Sequence, residues 1–408
     1  MSFNPLQEKG IPIDKQVRDW SSINSKPYDK SSVHPYTRTR VILMNGIEVD
    51  AAIFGHQFHR HCHDQDLRRK LAMSRRVEQQ QQKAVNWLVP ANETTLEVTV
   101  GYEQVAVDLT SFLARTEPEP YVKAALDFAL LEDFDHLYRY ANLMDMTEHT
   151  KAESIVGELT EVMPGRPTVL EHQHPFDSVR RPTMVAPDNM LSLLHIATIV
   201  AAEQQTMNFY MNVGDRADSE LARGLYAEIA QIEEQHVTHY GSLMDPTATW
   251  AQRLVLHEYN ECYLYYSCTQ TEVDQRIRAI WQEHLEQEIE HLHIACDLLE
   301  QQDGIDREQF LPAQMPQIMT FQSNKDYVRE VLGSQIDLTA DLEEYVPVGD
   351  LREDHRYHRY QRMVNAGPYV PSQRVIEEHV QRFGEDYRFE SDGPHPVERL
   401  RVREHAVV

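Results

Sequence analysis

A carboxylate followed three residues later by a histidine occurs three times in this 408-residue chain, each time with a glutamate 30 residues upstream. The upstream glutamates are Glu103, Glu203 and Glu258. The carboxylate–histidine pairs are Asp133/His136, Glu233/His236 and Glu288/His291. We interpret the three copies as three related helical hairpins.

The spacing of these residues has a physical reason. Residues i and i+3 lie on one face of a helix, so a carboxylate and an imidazole placed there can bind the same ion. Thirty residues across a hairpin with a central bend bring the upstream glutamate level with that pair on the facing helix. Two such hairpins would offer four carboxylates and two histidines, the donor set of a carboxylate-bridged dinuclear site in a helical bundle.

Helix caps and breaks predict an all-α fold around these residues. Asn92 is predicted to cap a first hairpin that bends at Thr116–Pro120, and Asp188 is predicted to cap a second that breaks at Gly214. A third hairpin follows the tight stop at Asp245–Thr247 and ends near Gln301. The proline-containing residues 145–187 form the predicted crossover between the first two hairpins.

Three segments are predicted along the chain. Residues 1–91 are expected to contain an extended arm, a small β-hairpin and a long helical stretch. The β-hairpin is predicted at Val41–Asp50, because Asn45-Gly46 suits its two-residue turn. Residues 92–301 form the helical domain with three hairpins, and residues 302–408 form an irregular C-terminal extension.

The pattern resembles the ferritin-like superfamily, and within it rubrerythrin and related di-iron carboxylate proteins. The residues that carry the resemblance are Glu103, Asp133, His136, Glu203, Glu233, His236, Glu258, Glu261, Glu288 and His291. The resemblance implies a four-helix bundle, here extended by a further hairpin, that binds two iron ions, with manganese as second choice. It also implies reaction with dioxygen or peroxide, with Glu203, Glu233 and His236 as catalytic residues. The cysteine quartet of a rubredoxin module is absent from the sequence, so an external electron donor is expected.

The connections favour one pairing of hairpins. In the ferritin-like arrangement the link between hairpins travels the length of the bundle, about 30 Å for some 20 helical residues. Residues 145–187 can span this, whereas Met244–Thr249 reaches only about 20 Å when extended. The first two hairpins therefore form the expected site, from Glu103, Asp133, His136, Glu203, Glu233 and His236. A second site is possible between the third hairpin, with Glu258, Glu261, Glu288 and His291, and the same hairpin of a second copy of the chain, which resembles the hairpin dimers of encapsulated ferritins.

Composition excludes several classes of function. The net charge of −26 argues against nucleic-acid binding, since few cations are available to neutralise phosphates. No stretch approaches the roughly 18 apolar residues of a membrane span, and the N-terminus lacks the order of a signal peptide. A cytoplasmic location is therefore expected, and the polar extensions predict a homo-oligomer. An iron-oxidising storage protein and a metal-free helical scaffold remain alternatives to the oxidoreductase.

Overall fold

The computed structural model describes residues 3–404, and these are mainly helical. They contain 14 α-helices, which bring the helical content to 66%, and one two-stranded sheet. This confirms the all-α class. Among the described residues, no helix is both long and apolar enough to cross a bilayer.

Eight long helices carry the fold. Their bounds are α1 Pro35–His61, α2 Gln65–Asn86, α3 Thr95–Thr116, α4 Pro120–Glu148, α7 Met190–Val213, α8 Glu220–Gly241, α9 Trp250–Thr271 and α10 Gln275–Asp303. The shorter helices are α5 Glu153–Val156, α6 Thr168–Glu171, α11 Arg307–Phe310, α12 Lys325–Gln335, α13 Arg356–Val364 and α14 Pro371–Phe383. Strands β1 Leu338–Asp341 and β2 Glu344–Pro347 pair antiparallel.

Local sequence sets the ends of these helices. Thr94 and Glu97 form a reciprocal capping box at the start of α3, and Thr249 and Gln252 do the same for α9. Pro120 occupies the first turn of α4, where its missing N–H costs no hydrogen bond. The bend predicted at Thr116–Pro120 therefore lies between α3 and α4, whereas the residue that caps α3 is Thr94 and not the predicted Asn92.

The predicted β-hairpin at Val41–Asp50 is wrong, because these residues lie inside helix α1. Every residue from Tyr36 to Glu48 is buried, including Asn45 and Gly46. A glycine inside a helix costs about 1 kcal/mol relative to alanine, and burial of the surrounding apolar residues outweighs that cost. The helical stretch predicted after the hairpin is two helices, α1 and α2, separated at Asp64, which caps α2.

The chain divides into two compact units that are not continuous in sequence. Unit 1 comprises residues 1–92, 182–202 and 244–321, and unit 2 comprises residues 93–181, 203–243 and 322–408. Unit 1 therefore contains the first helical hairpin (α1, α2) and the last (α9, α10), with α1 packed on α9. Unit 2 contains the second (α3, α4) and the third, which consists of α7 from Glu203 onward and α8. This division differs from the three consecutive segments expected from the sequence.

The N-terminal arm and the C-terminal extension each lie on helices of their own unit. In unit 1, Ile11 N–H donates to the Glu286 carbonyl of α10 at 2.8 Å, and Gln16 is buried. In unit 2, helices α12 and α14 pack on α4. The arm thereby becomes part of the unit 1 core, where Gln16 reaches the site described below.

Candidate metal centres

Unit 2 brings six of the expected metal-binding residues together. We call this set the unit 2 centre: Glu103, Asp133, His136, Glu203, Glu233 and His236. Its members form two groups of possible ligands, one of Asp133, Glu203, Glu233 and His236 and the other of Glu103, His136 and Glu233. Within each group the donor atoms lie within 4.8 Å of one another. Glu233 belongs to both groups, as a carboxylate that bridges two ions would.

Four helices supply these residues at matching positions. Helix α3 supplies Glu103 and α7 supplies Glu203, each opposite the pair carried by its hairpin partner. Helix α4 presents Asp133 and His136 on one face, and α8 presents Glu233 and His236 in the same way. All six residues are 0–1% exposed, so their side chains are shielded from bulk water.

Both histidines turn Nδ1 toward the centre and Nε2 away from it. His136 Nδ1 lies 3.1 Å from Glu233 Oε1, and His236 Nδ1 lies 3.3 Å from Asp133 Oδ1. Each Nε2 meets a carboxylate outside the centre: His136 contacts Glu171 at 2.9 Å. His236 contacts Glu132 at 2.8 Å. A carboxylate on the outer nitrogen fixes the tautomer that leaves Nδ1 free for a metal ion and increases its basicity.

The outer carboxylates depend on the crossover between α4 and α7. Asp135 accepts hydrogen bonds from the backbone N–H groups of Gly165 and Thr168, which ties the crossover to α4. A side chain on Gly165 would collide with the Leu131 carbonyl, so glycine permits this approach. Arg166 then donates to Glu132 at 2.9 Å, and Glu171 lies at the end of α6. Glu171 was not predicted, since the crossover has no periodicity that would mark a buried carboxylate, and Glu132 was not predicted although it directly precedes Asp133 on α4.

The electrostatics of the unit 2 centre favour a bound cation. Burial raises the pKa values of Glu103, Asp133 and Glu203. Burial opposes ionisation of Glu233 too, but its contacts with His136 and the nearby His236, at 3.1 and 3.4 Å, lower its pKa. Among the described residues, no donor in hydrogen-bonding geometry reaches either oxygen of Asp133 or Glu203. Buried polar atoms without partners are costly and rare, and metal ions would satisfy these oxygens.

The pKa values of the two histidines also indicate a site that favours positive charge. Burial by itself would lower the pKa values of His136 and His236, but the surrounding carboxylates raise both. Glu171 has the largest such effect on His136, and Asp133 has the largest on His236. The metal-free centre therefore holds protons that metal ions would displace.

Unit 1 contains a second buried cluster, which we call the unit 1 centre: Glu48, Glu78, Glu258, Glu261, Glu288 and His291. It also forms two groups, one of Glu78, Glu258, Glu288 and His291 and the other of Glu48, Glu78 and Glu261. Glu78 is common to both groups. The hairpin of α9 and α10, the third one predicted from the sequence, therefore meets α1 and α2 of its own chain. A second copy of the chain is not required.

Glu48 and Glu78 are a fourth copy of the repeat that the sequence analysis missed. They are 30 residues apart, the same separation as in the other three hairpins. Gln81 stands where the other copies have histidine, so the carboxylate–histidine pattern did not reveal it. The separation alone was the available signal, and the wrong β-hairpin at Val41–Asp50 obscured it.

The unit 1 centre has one histidine where the unit 2 centre has two. His291 Nδ1 lies 2.9 Å from Glu288 and 3.1 Å from Glu78, and its Nε2 contacts Gln16 Oε1 at 2.8 Å. The outer partner of this histidine is thus a neutral amide, whereas both outer partners in unit 2 are carboxylates. Burial raises the pKa values of Glu48, Glu258 and Glu261, and neighbouring carboxylates raise them further.

A tyrosine extends the repeat beyond the possible ligands. Tyr210 lies seven residues after Glu203 and donates to Glu103, and Tyr265 lies seven residues after Glu258 and donates to Glu48. In each unit the phenol of one hairpin thus holds the upstream glutamate of the other. The two centres share this arrangement as well as their carboxylates.

The two centres differ in whether residues of the centre line a cavity. A cavity of about 680 Å³ in unit 1 is lined by Glu258 and His291, among others. In unit 2 a cavity of about 570 Å³ is lined by Gln173 and Gln235, but by none of the six residues of the unit 2 centre. A cavity thus reaches the unit 1 centre directly.

No protein-family model, curated protein or solved structure matches this chain. The resemblance to the ferritin-like superfamily therefore stays a prediction. The structure shows that the buried carboxylate and histidine clusters can hold metal ions. Their donor atoms, burial and surroundings are the basis for the function proposed next.

Proposed function

We propose that this chain is a dinuclear metal carboxylate oxidoreductase of the ferritin-like kind, and that its reaction with dioxygen or peroxide takes place at the unit 2 centre. The observation that carries the proposal is the sharing of Glu233 by two buried groups that each contain one histidine. One ion would be held by Asp133, Glu203, Glu233 and His236. The other would be held by Glu103, His136 and Glu233.

Iron is the first choice for both positions and manganese the second. Carboxylate oxygens with one imidazole per ion form a hard to borderline donor set, which suits these metals better than copper(I), which prefers sulfur ligands. Four carboxylates would neutralise two divalent ions. When bound, a pair of iron ions would supply electrons to an oxidant and open positions at which it could bind.

The protein side chains prepare and protect this chemistry. Glu132 and Glu171 orient the two imidazoles through their outer nitrogens, which keeps Nδ1 directed at the ions. Tyr210 places a phenol O–H on Glu103 and so restrains the swing of that carboxylate. Burial of all six residues excludes bulk water and strengthens each electrostatic interaction.

The oxidant proposed for this centre is small, either dioxygen or peroxide. None of its six residues lines the neighbouring 570 Å³ cavity, which supports a peroxidase or oxidase over an enzyme that binds a large organic substrate at the same ions. The four cysteines are free and do not form a metal-binding quartet. Reducing equivalents would come from an external electron donor.

Metal content in a pair of adjacent variants tests the proposal. Glu233 is buried at the shared position, whereas the neighbouring Glu234 is exposed. After anaerobic loading with iron(II), we expect Glu233→Ala to lose about two ions per chain relative to the wild type and to lose peroxide and oxygen turnover. Glu234→Ala should retain both the ions and the turnover.

Other outcomes have clear meanings. Full metal content in Glu233→Ala would contradict the proposed centre. Large amounts of oxidised iron retained per chain would indicate a storage protein. An absence of metal from the wild type would leave the metal-free scaffold.

A further inference from the structure

We infer that the unit 1 centre is a second metal site, different in composition from the first, and that the adjoining cavity binds an uncharged apolar organic molecule beside the metal. This inference goes beyond the proposed function, because it concerns other residues and does not need turnover at the unit 2 centre. It depends on unpartnered buried ligand atoms, on the replacement of a histidine by Gln81, and on the lining of the cavity.

Several carboxylate oxygen atoms of the unit 1 centre have no hydrogen-bond partner. Among the described residues, no hydrogen-bond donor reaches either oxygen of Glu261, nor Glu48 Oε2 or Glu258 Oε2. These three residues are at most 4% exposed. Five buried carboxylates against one histidine would repel one another strongly, and bound cations are the ligands that relieve both the repulsion and the missing hydrogen bonds.

The two ligand groups of the unit 1 centre differ in their donor atoms. Glu78, Glu258, Glu288 and His291 offer one nitrogen, whereas Glu48, Glu78 and Glu261 offer oxygen atoms only. Gln81 does not replace the missing nitrogen ligand, because an amide nitrogen is a hydrogen-bond donor only, and here its N–H donates to Glu288. An all-oxygen group selects hard divalent ions such as manganese(II), magnesium or calcium over softer ones. The two positions of this centre are therefore unequal.

The cavity beside the unit 1 centre has a volume of about 680 Å³, which is typical of small-molecule sites. Its wall is formed by α2, α9 and α10 through apolar side chains that include Leu67, Leu71, Leu254, Ile294 and Leu298. Glu258 and His291 complete it with ligand side chains. A molecule in this cavity would thus lie against hydrocarbon and beside the metal position.

Charged side chains line the solvent-exposed part of the cavity. Arg69 and Lys70 line it together with Asp64, Asp66 and Asp297. Arg69 pairs with Asp66 at 2.5 Å, and Asp297 pairs with Arg307. Charges of both signs therefore line this part, and three of the five, Arg69, Asp66 and Asp297, already have partners of opposite charge, so the lining offers no cluster of one sign to an ionic ligand. The apolar wall selects the ligand, which should be an uncharged molecule with a hydrocarbon body.

Cobalt(II) binding to the full-length Glu233→Ala variant tests the metal part. This variant lacks the shared ligand of the unit 2 centre, so the cobalt absorption bands report on unit 1. We expect it to bind cobalt(II), and the additional substitution Glu288→Ala to abolish that binding. The single variant Glu288→Ala should retain the ions of unit 2, which separates failure of this inference from failure of the proposed function. Absence of cobalt from Glu233→Ala would overturn the second metal site.

Addition of 1-decanol to the cobalt-loaded Glu233→Ala protein tests the cavity. We expect saturable changes in the cobalt bands with 1-decanol and none with triethylene glycol, a hydrophilic molecule of similar length. Leu298→Trp fills the cavity at a half-buried position and should weaken 1-decanol binding about tenfold or more, since the volume is no longer available. Ile53→Trp, at an exposed position of α1 that does not line the cavity, is the matched control.

Three results would overturn the organic-ligand part. The first is the absence of a spectral change with 1-decanol. The second is an equal response to triethylene glycol. The third is equal 1-decanol binding by the Leu298→Trp and Ile53→Trp proteins, with circular dichroism and thermal unfolding showing that both remain folded.

Discussion

The side-chain amide of Gln81 donates a hydrogen bond to Glu288. Gln81 occupies the position at which the other three helical hairpins carry His136, His236 and His291. The amide thereby holds a carboxylate in place but contributes no nitrogen to a metal ion. This one contact accounts for much of the chemical difference between the two centres.

Restoring a histidine at this position should make the unit 1 centre more like that of unit 2. We expect Gln81→His to bind cobalt(II) about tenfold more tightly in unit 1, because an imidazole is a better ligand than an amide for this ion. Cobalt titration in the Glu233→Ala background measures the effect. Gln82→His, next to it and only half-buried, is the control, and an equal gain in both variants would contradict the prediction.

Loss of the outer partner of a histidine should weaken the unit 2 centre. Glu171 contacts His136 Nε2 at 2.9 Å, and Glu171→Gln removes its charge while keeping its size. We expect metal affinity to fall about 10-fold to 100-fold, as for other outer-shell substitutions. Equilibrium dialysis against iron(II) or manganese(II), in the Glu288→Ala background that lacks a ligand of the unit 1 centre, measures this affinity. The exposed Glu234→Gln variant should bind like the wild type, and unchanged affinity in Glu171→Gln would argue against a metal on His136 Nδ1.

The phenol of Tyr210 should act on Glu103 and hence on one of the two metal positions. Tyr210→Phe removes the O–H that donates to Glu103, with an expected cost in folding stability of about 1 kcal/mol. We expect weaker binding of the ion held by Glu103, His136 and Glu233, with the other position less affected. Two-step metal titration in the Glu288→Ala background, where the unit 1 centre lacks a ligand, shows the difference. Tyr226→Phe is the control, because its O–H contacts Thr99 instead of a ligand, and the same loss in both variants would indicate a packing effect.

Metal binding should stabilise the protein more at high pH than at low pH. In the metal-free centre, carboxylates raise the pKa values of His136 and His236 although burial opposes this, and burial raises that of Glu203. Groups whose folded-state pKa is raised bind protons more tightly in the folded protein, so stability falls as pH rises through that pKa. For the histidines this stabilisation is complete below about pH 6.5 and is lost above it.

Thermal unfolding with and without manganese(II) measures this effect. The Tm of the metal-free protein should fall from pH 6 to pH 8, and the rise in Tm caused by manganese(II) should grow over the same range because the ion replaces the protons. The Glu233→Ala variant should show a smaller dependence. An increment that is the same at pH 6 and pH 8 would contradict the prediction.

Most of the unit 2 centre was predictable, because its ligands follow helical geometry. A carboxylate and a histidine at i and i+3 share a helix face whatever else surrounds them. The lengths of the connections also favoured the pairing that unit 2 shows, in which the long crossover joins Glu103 and Asp133 to Glu203 and Glu233. Glu171 was not predictable, because it comes from the irregular crossover and is placed by the hydrogen bonds of Asp135.

The unit 1 centre was half predictable. Glu258, Glu261, Glu288 and His291 were found from the repeat, but Glu48 and Glu78 were missed. Local signals misled at Asn45-Gly46, where a turn-forming pair lies within thirteen consecutive buried residues of α1. Tertiary burial outweighed a local preference worth about 1 kcal/mol.

The sequence by itself determined the helical class, the 30-residue separation of the carboxylates and the face of each helix on which they lie. These features depend on contacts a few residues apart, which helical geometry fixes. Only the tertiary structure decided that the first and last hairpins form one unit and the middle two another, and that a cavity reaches Glu258 and His291 in unit 1. Those features depend on packing between residues about 200 positions apart, such as Glu78 and Glu288, and hydrophobic burial drives such packing without a local sequence code.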